Sequence, residues 1–212
     1  MNWLTKLERK FGRYCIPNLI ALLVGGQIVV YAVELFVNRN IAFYLTLNRP
    51  ALLAGQVWRL VTFLFVPFSS GSILNFVIAA YFLWFVGSAL EAAWGDFRFN
   101  LYILAGMLGA ILACLVTGSA DTYCLELSLL LAFAILYPEM QVLLFFFIPL
   151  RVKYLGIFAG AVWVLSFLSV NWMGKLNYLL SMAGFLLFFA PKVWSDLRAW
   201  YRREQWRRMN RR

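Results

Sequence analysis

Histidine is absent from this 212-residue chain, and charged residues make up only 13% of it. Without an imidazole, the side chain that most often serves as general base and the one that most often binds metal are both missing. Cysteine is scarce as well. Cys15, Cys114 and Cys124 are odd in number, lie in or beside apolar segments and form no Cys-x-x-Cys pair, so they read as packing residues. No zinc or iron site is expected, and no cofactor is implied. Nothing in a charged fraction this low suggests a separate soluble domain, since ordinary soluble domains carry about a quarter of their residues as charges.

What is present is apolar: 64% of the residues are hydrophobic and 18% aromatic. Long apolar segments recur at Pro17 to Val37, Ile73 to Leu90, Phe97 to Thr117, Cys124 to Tyr137, Tyr154 to Val170 and Leu176 to Ala190. They predict an all-α, polytopic membrane bundle of six transmembrane helices. The first follows a basic segment with no small-residue cleavage site and is followed by further spans, so it is expected to be a retained helix.

Cations sit mainly on one side of such a bundle. Lys6, Arg9, Lys10 and Arg13 precede the first span, Arg98, Arg151 and Lys153 fall in loops on the same side, and Lys192 with the Arg198 to Arg212 cluster follows the last. The opposite side carries only Arg39, Arg49, Arg59 and Lys175. The positive-inside rule then places both termini in the cytoplasm of a cell membrane. The compact chain with its minimal loops suits a bacterial plasma membrane. The formal charge of +10 is accounted for by topology and attraction to anionic headgroups, and nucleic acid is not an expected partner.

Three regions follow. Residues 1–16 predict an interfacial amphipathic helix, with Trp3, Leu4, Leu7 and Phe11 at helical spacing among the cations. Residues 17–191 form the six-helix domain. Residues 192–212 form a basic amphipathic tail, in which Trp194, Leu197 and Tyr201 make one stripe. Within the bundle, Ala105, Gly109 and Ala113 recur every fourth residue, and Gly156 and Gly160 repeat the spacing, which lets neighbouring backbones approach closely.

The polar residues around the second and third spans carry a recognisable pattern. Gly55-Gln-Val-Trp58-Arg59-Leu-Val-Thr62, then Gly87-Ser-Ala-Leu-Glu91, Gly95, Arg98-Phe99 and Tyr102, closely resembles the rhomboid superfamily of intramembrane serine proteases. There a Trp-Arg pair sits in a membrane-embedded first loop and a Gly-x-x-x-Glu ends the second helix. The resemblance implies that Trp58, Arg59, Gly87, Glu91 and Gly95 are structural. Arg59 at interfacial depth needs acceptors, which loop carbonyls or an acidic neighbour would supply, and Glu91 near the cytoplasmic boundary can reach water or Arg98.

The same resemblance implies what the catalytic positions should hold. Counting back from Gly87 and Glu91 without gaps puts Asn75 where the family has the histidine of its His-x-x-x-Asn motif, and Ala79 where it has the asparagine, so the oxyanion donors are altered. Glu126-Leu-Ser128-Leu129 stands in place of Gly-x-Ser-Gly: the serine is kept and both glycines are replaced by larger residues. Ser181-Met-Ala-Gly184-Phe185 matches His-x-x-Gly-Phe with Ser181 at the position of the general base. A serine hydroxyl cannot take the proton of Ser128 near neutral pH. Lys175 would be solvated and protonated, and Glu126, two residues from Ser128, falls on another helix face. Ser128 is expected to bond back to its own helix.

Tyr137-Pro138 to Pro149, followed by Arg151-Val-Lys153-Tyr154, resembles the Pro-x-x-x-Val hairpin of rhomboids and the matching stretch of the derlins, their non-proteolytic relatives. The apolar run between the prolines is too short to span and predicts an interfacial hairpin. The fourth span, and the sixth, would reach only about 21 to 23 Å at 1.5 Å per residue, against a core of roughly 30 Å, and short helices thin the surrounding lipid. The resemblance thus implies a pseudoprotease that binds or escorts client transmembrane proteins, with a lateral gap between the second and fifth helices. Two other classes stay open: a serine protease with atypical chemistry at Ser128, and a small-molecule or ion pathway lined by Gln27, Asn75, Asn177 and Ser181. No feature of the sequence specifies an oligomeric state or a particular client.

Overall fold

The computed structural model describes residues 9–10, 12, 15–67, 72–144 and 148–189. The amphipathic helix expected at residues 1–16 falls largely outside them, and the tail expected at 192–212 falls wholly outside. The apolar segments form helices α1 (Leu19–Phe36), α2 (Ile73–Trp94), α3 (Asp96–Thr117), α4 (Tyr123–Leu136), α5 (Val152–Ser169) and α6 (Trp172–Ser181), with α6 continuing after Met182 into α7 (Ala183–Phe189). Among the described residues, α1, α2, α3 and α5 are each long and apolar enough to cross a membrane, and α6 with α7 makes a fifth span if counted as one. At 14 residues, α4 is shorter. The sixth apolar segment, expected as one continuous helix, is bent by 57° at Met182.

The helix ends are fixed by different devices. Asn171 caps α6 in the ordinary way, its side chain accepting from the Gly174 amide at 2.9 Å. No local side chain caps α1, because Asn18 takes a left-handed conformation (φ 52°). Its N-terminus is instead held from a distance. Glu91 on α2 accepts from the Leu19 amide at 2.8 Å, and Asn100 on α3 both accepts from the Ile16 amide and donates to its carbonyl. A single residue, Gly95 (φ 79°), reverses the chain between α2 and α3, a backbone conformation that side chains other than glycine resist.

The connection from α1 to α2 is a folded loop. Single-turn helices Ile41–Leu45, Arg49–Leu53 and Arg59–Thr62 flank strand β1 (Leu47–Asn48), which pairs antiparallel with β2 (Ser119–Ala120), Leu47 lying opposite Ala120. Thr122 Oγ1 donates to the Val66 carbonyl at 3.1 Å, so the loop is tied to the α3–α4 turn at two places. Between α4 and α5, strands β3 (Gln141–Leu144) and β4 (Ile148–Arg151) form an antiparallel hairpin, as the two prolines suggested. Beside it Glu139 pairs with Arg151 at 3.0 Å and with Lys153 at 3.6 Å, all on the surface.

Close helix packing rests on small residues. A Cβ on Gly87 would collide with Ile20 of α1, one on Gly109 with the Leu180 carbonyl of α6, and one on Gly184 would come within 3.0 Å of the Gly106 amide. The α3 face that meets α6 and α7 therefore runs through Gly106 and Gly109, with Ala105 only partly buried. Gly156 meets Ala134 of α4, whereas Gly160 has ordinary room. The core, with Leu90, Phe99, Ala113, Ala132 and Phe133 almost fully buried, lies where α2, α3 and α4 converge. The outer face of α5 is bare: Ile157, Phe158, Leu165 and Leu168 are all exposed, as a lipid-facing surface requires.

Candidate functional site

Arg59 is 4% exposed and anchors the first loop from within. Its Nη1 donates to the carbonyls of Phe43 (2.8 Å) and Thr46 (2.7 Å), and its Nε donates to Gln56 Oε1 (2.7 Å). These are the loop acceptors that an arginine at that depth needs. Its neighbour Trp58 is half exposed. Glu91 is engaged differently from the expectation that it reaches water or Arg98. It is buried, and its carboxylate holds the N-terminus of α1, a place where both the free amides and the helix dipole favour negative charge.

Ser128 lies in the second turn of α4, 3% exposed. Its hydroxyl donates to the Leu125 carbonyl at 2.7 Å and accepts from the Tyr102 hydroxyl of α3 at 2.8 Å. The Tyr102 ring packs against Trp94 and Phe188, with centroids 5.3 and 5.4 Å away, so aromatic side chains hold this phenol in place. Ser181 donates to Asn177 Oδ1 at 3.1 Å, one turn back on its own helix. Among the described residues no hydrogen bond joins Ser128 to Ser181. Asn75 is exposed on the first turn of α2, and Ala79 one turn later is exposed too.

A serine is activated when a base accepts its proton. Here the proton of Ser128 points at a backbone carbonyl, and the hydroxyl that approaches its oxygen is itself a donor. The arrangement satisfies a buried polar group, and among the described residues neither hydrogen-bond partner of the Ser128 hydroxyl is a basic side chain.

One cavity lies on the α2–α4 side of the bundle. It opens between α2 and α4, has a volume of about 180 Å³, and is walled by Ala79, Phe82, Leu83, Val86, Leu127 and Leu130, with Tyr123 and Glu126 also on its lining. Of the four positions expected to be degenerate, Ala79 lines it, while Ser128, Asn75 and Ser181 do not. A smaller void behind it brings Glu126 together with Gln27 and Pro67. Gln27 of α1 is buried, and its Nε2 donates to Glu126 Oε1 at 3.0 Å and more weakly to the Leu64 carbonyl at 3.5 Å.

Two pairings thus escaped sequence reasoning: Tyr102 with Ser128, and Gln27 with Glu126. Each consists of solitary polar residues inside apolar runs, and such residues in lipid almost always pair. That signal identified the members without matching them. Among the described residues no group of three or more histidine, cysteine, aspartate or glutamate side chains is placed to hold a metal ion, and the three cysteines are free thiols.

Residues 54–190 match the family model described as Rhomboid domain. No curated protein matches the chain.

Proposed function

The chain belongs to the rhomboid family, and from that premise we propose that it is a member without protease activity, which binds or escorts other membrane proteins. The observation that carries this reading is the state of Ser128. Its hydroxyl is bonded to the Leu125 carbonyl and to the Tyr102 phenol, in a chain that contains no histidine. The larger residues around it, Glu126 and Leu129, stand where active members have glycines and crowd the approach of a scissile carbonyl.

On this reading the bundle spans a cell membrane six times, with α4 as a short fourth span, the bent α6–α7 pair as the sixth, and both termini in the cytoplasm. Residues 17–191 form the membrane domain, flanked by basic segments at 1–16 and 192–212 that hold anionic headgroups. The 14 residues of α4 reach about 21 Å, short of a hydrocarbon core of roughly 30 Å. Lipid thinned beside α4 would lower the barrier for client helices that carry polar residues, as the likeness to derlins suggests.

The test is chemical. The purified protein is treated with fluorophosphonate and isocoumarin probes and offered transmembrane substrates. Neither labelling nor cleavage is expected, and Ser128→Ala should leave its effect on client proteins unchanged. Labelling that disappears in Ser128→Ala would overturn the reading and restore a serine protease.

A further inference from the structure

We infer that the cavity between α2 and α4 receives a basic side chain from a partner transmembrane helix, with Glu126 as its counter-ion. The inference rests on the client-binding reading and names what that site recognises.

Glu126 lies in the first turn of α4 and lines both the main cavity and the void behind it. Among the described residues its carboxylate receives one hydrogen bond, on Oε1 from Gln27. A carboxylate accepts several, so Gln27 fixes its orientation and leaves capacity for a further donor. The remaining walls are alanine, valine, leucine and phenylalanine side chains with Tyr123, surfaces that suit the aliphatic stem of a lysine or arginine. Ala79 and Val86 on one wall, and Tyr123 and Leu130 on the other, are each seven residues apart, so the groove is about 10 Å long, two helical turns. Its volume of about 180 Å³ is close to the ~150 Å³ of cavities that hold a benzene ring, which suits one side chain and excludes a whole helix.

Charge decides the occupant. An anionic or purely apolar group gains nothing from a carboxylate, whereas a lysine or arginine stranded in a single-span helix is costly in hydrocarbon until it finds an acceptor. The groove is lined by residues of two neighbouring helices and is open rather than enclosed, so a helix beside it can offer its side chain.

The full-length protein is reconstituted in phosphatidylcholine vesicles with a photo-crosslinking residue at Phe82 or Leu130. It is mixed with leucine-rich single-span peptides that carry, at one depth in their outer half, lysine, glutamate or leucine. Capture of the lysine peptide about tenfold above the leucine peptide is expected, with no gain for the glutamate peptide. Glu126→Gln keeps an oxygen for Gln27 and should abolish the preference. Equal capture of all three peptides by the native protein would overturn the role of Glu126 while leaving client binding intact. The same holds for a lysine preference that survives Glu126→Gln. Capture of no peptide at these positions would overturn both readings. Labelling there by a photoactivatable phosphatidylethanolamine in place of any peptide would reassign the groove to a lipid amine.

Discussion

Glu91 and Leu19, 72 residues apart in the chain, are joined by a 2.8 Å hydrogen bond from the Leu19 amide to Oε1, so the end of one membrane helix caps the beginning of another. Glu91, one of the residues that carry the family pattern, is therefore a long-range helix cap. Removing it strands buried amides. Glu91→Ala should destabilise the protein by about 1–3 kcal/mol, and Glu91→Gln, which retains a neutral acceptor, by less. Thermal unfolding in detergent separates the two, and equal midpoints for all three proteins would show that the cap contributes nothing.

Arg59 is predicted to matter more for its geometry than for its charge. Arg59→Ala leaves the carbonyls of Phe43 and Thr46 without their donor and should cost a few kcal/mol, about 2–3. Arg59→Lys should recover little, because an ammonium cannot reproduce the fork that reaches Gln56 as well. Protease resistance of the first loop in detergent is the direct readout; a lysine variant as resistant as the native protein would refute the geometric role.

If the Tyr102–Ser128 bond is structural, the two residues are energetically coupled. Tyr102→Phe and Ser128→Ala should each destabilise by about 1 kcal/mol, and the double variant by less than their sum. Strict additivity in reversible unfolding would mean that the hydroxyls do not depend on one another.

Two glycines of the same apparent repeat are predicted to differ. A methyl group on Gly156 meets Ala134 at sub-contact distance, whereas one on Gly160 has 3.7 Å to Leu131 Cδ2. Gly156→Ala should lower stability by about 1–3 kcal/mol by forcing α5 off α4, and Gly160→Ala should be neutral or slightly stabilising. Matched losses in both variants would contradict the packing of these two helices. Gly109→Ala should behave like Gly156→Ala, since the Leu180 backbone cannot move aside as a side chain can.

Much of the scaffold could be read from the chain alone, because length and apolarity are local properties and a bilayer accepts few alternatives to the helix. The segments at Pro17 to Val37 and Phe97 to Thr117 became helices within two residues of their apolar limits. The prolines at 138 and 149 marked the hairpin, and the need of Arg59 for acceptors followed from its depth, while the structure decided for loop carbonyls over an acidic neighbour. What the chain alone did not decide was pairing. Strands β1 and β2 are two residues each, too short for any alternation to show, and they exist because the first loop lies against the α3–α4 turn. The bend at Met182 breaks a segment with no proline in it. Gln27 meets Glu126 across 99 residues, and Tyr102 of α3 meets Ser128 of α4 beside the place where Gly106 lets Leu125 approach. A polar side chain in lipid must find a partner, but which one it finds is set by the rotation and spacing of packed helices, and these emerge only when the whole bundle closes.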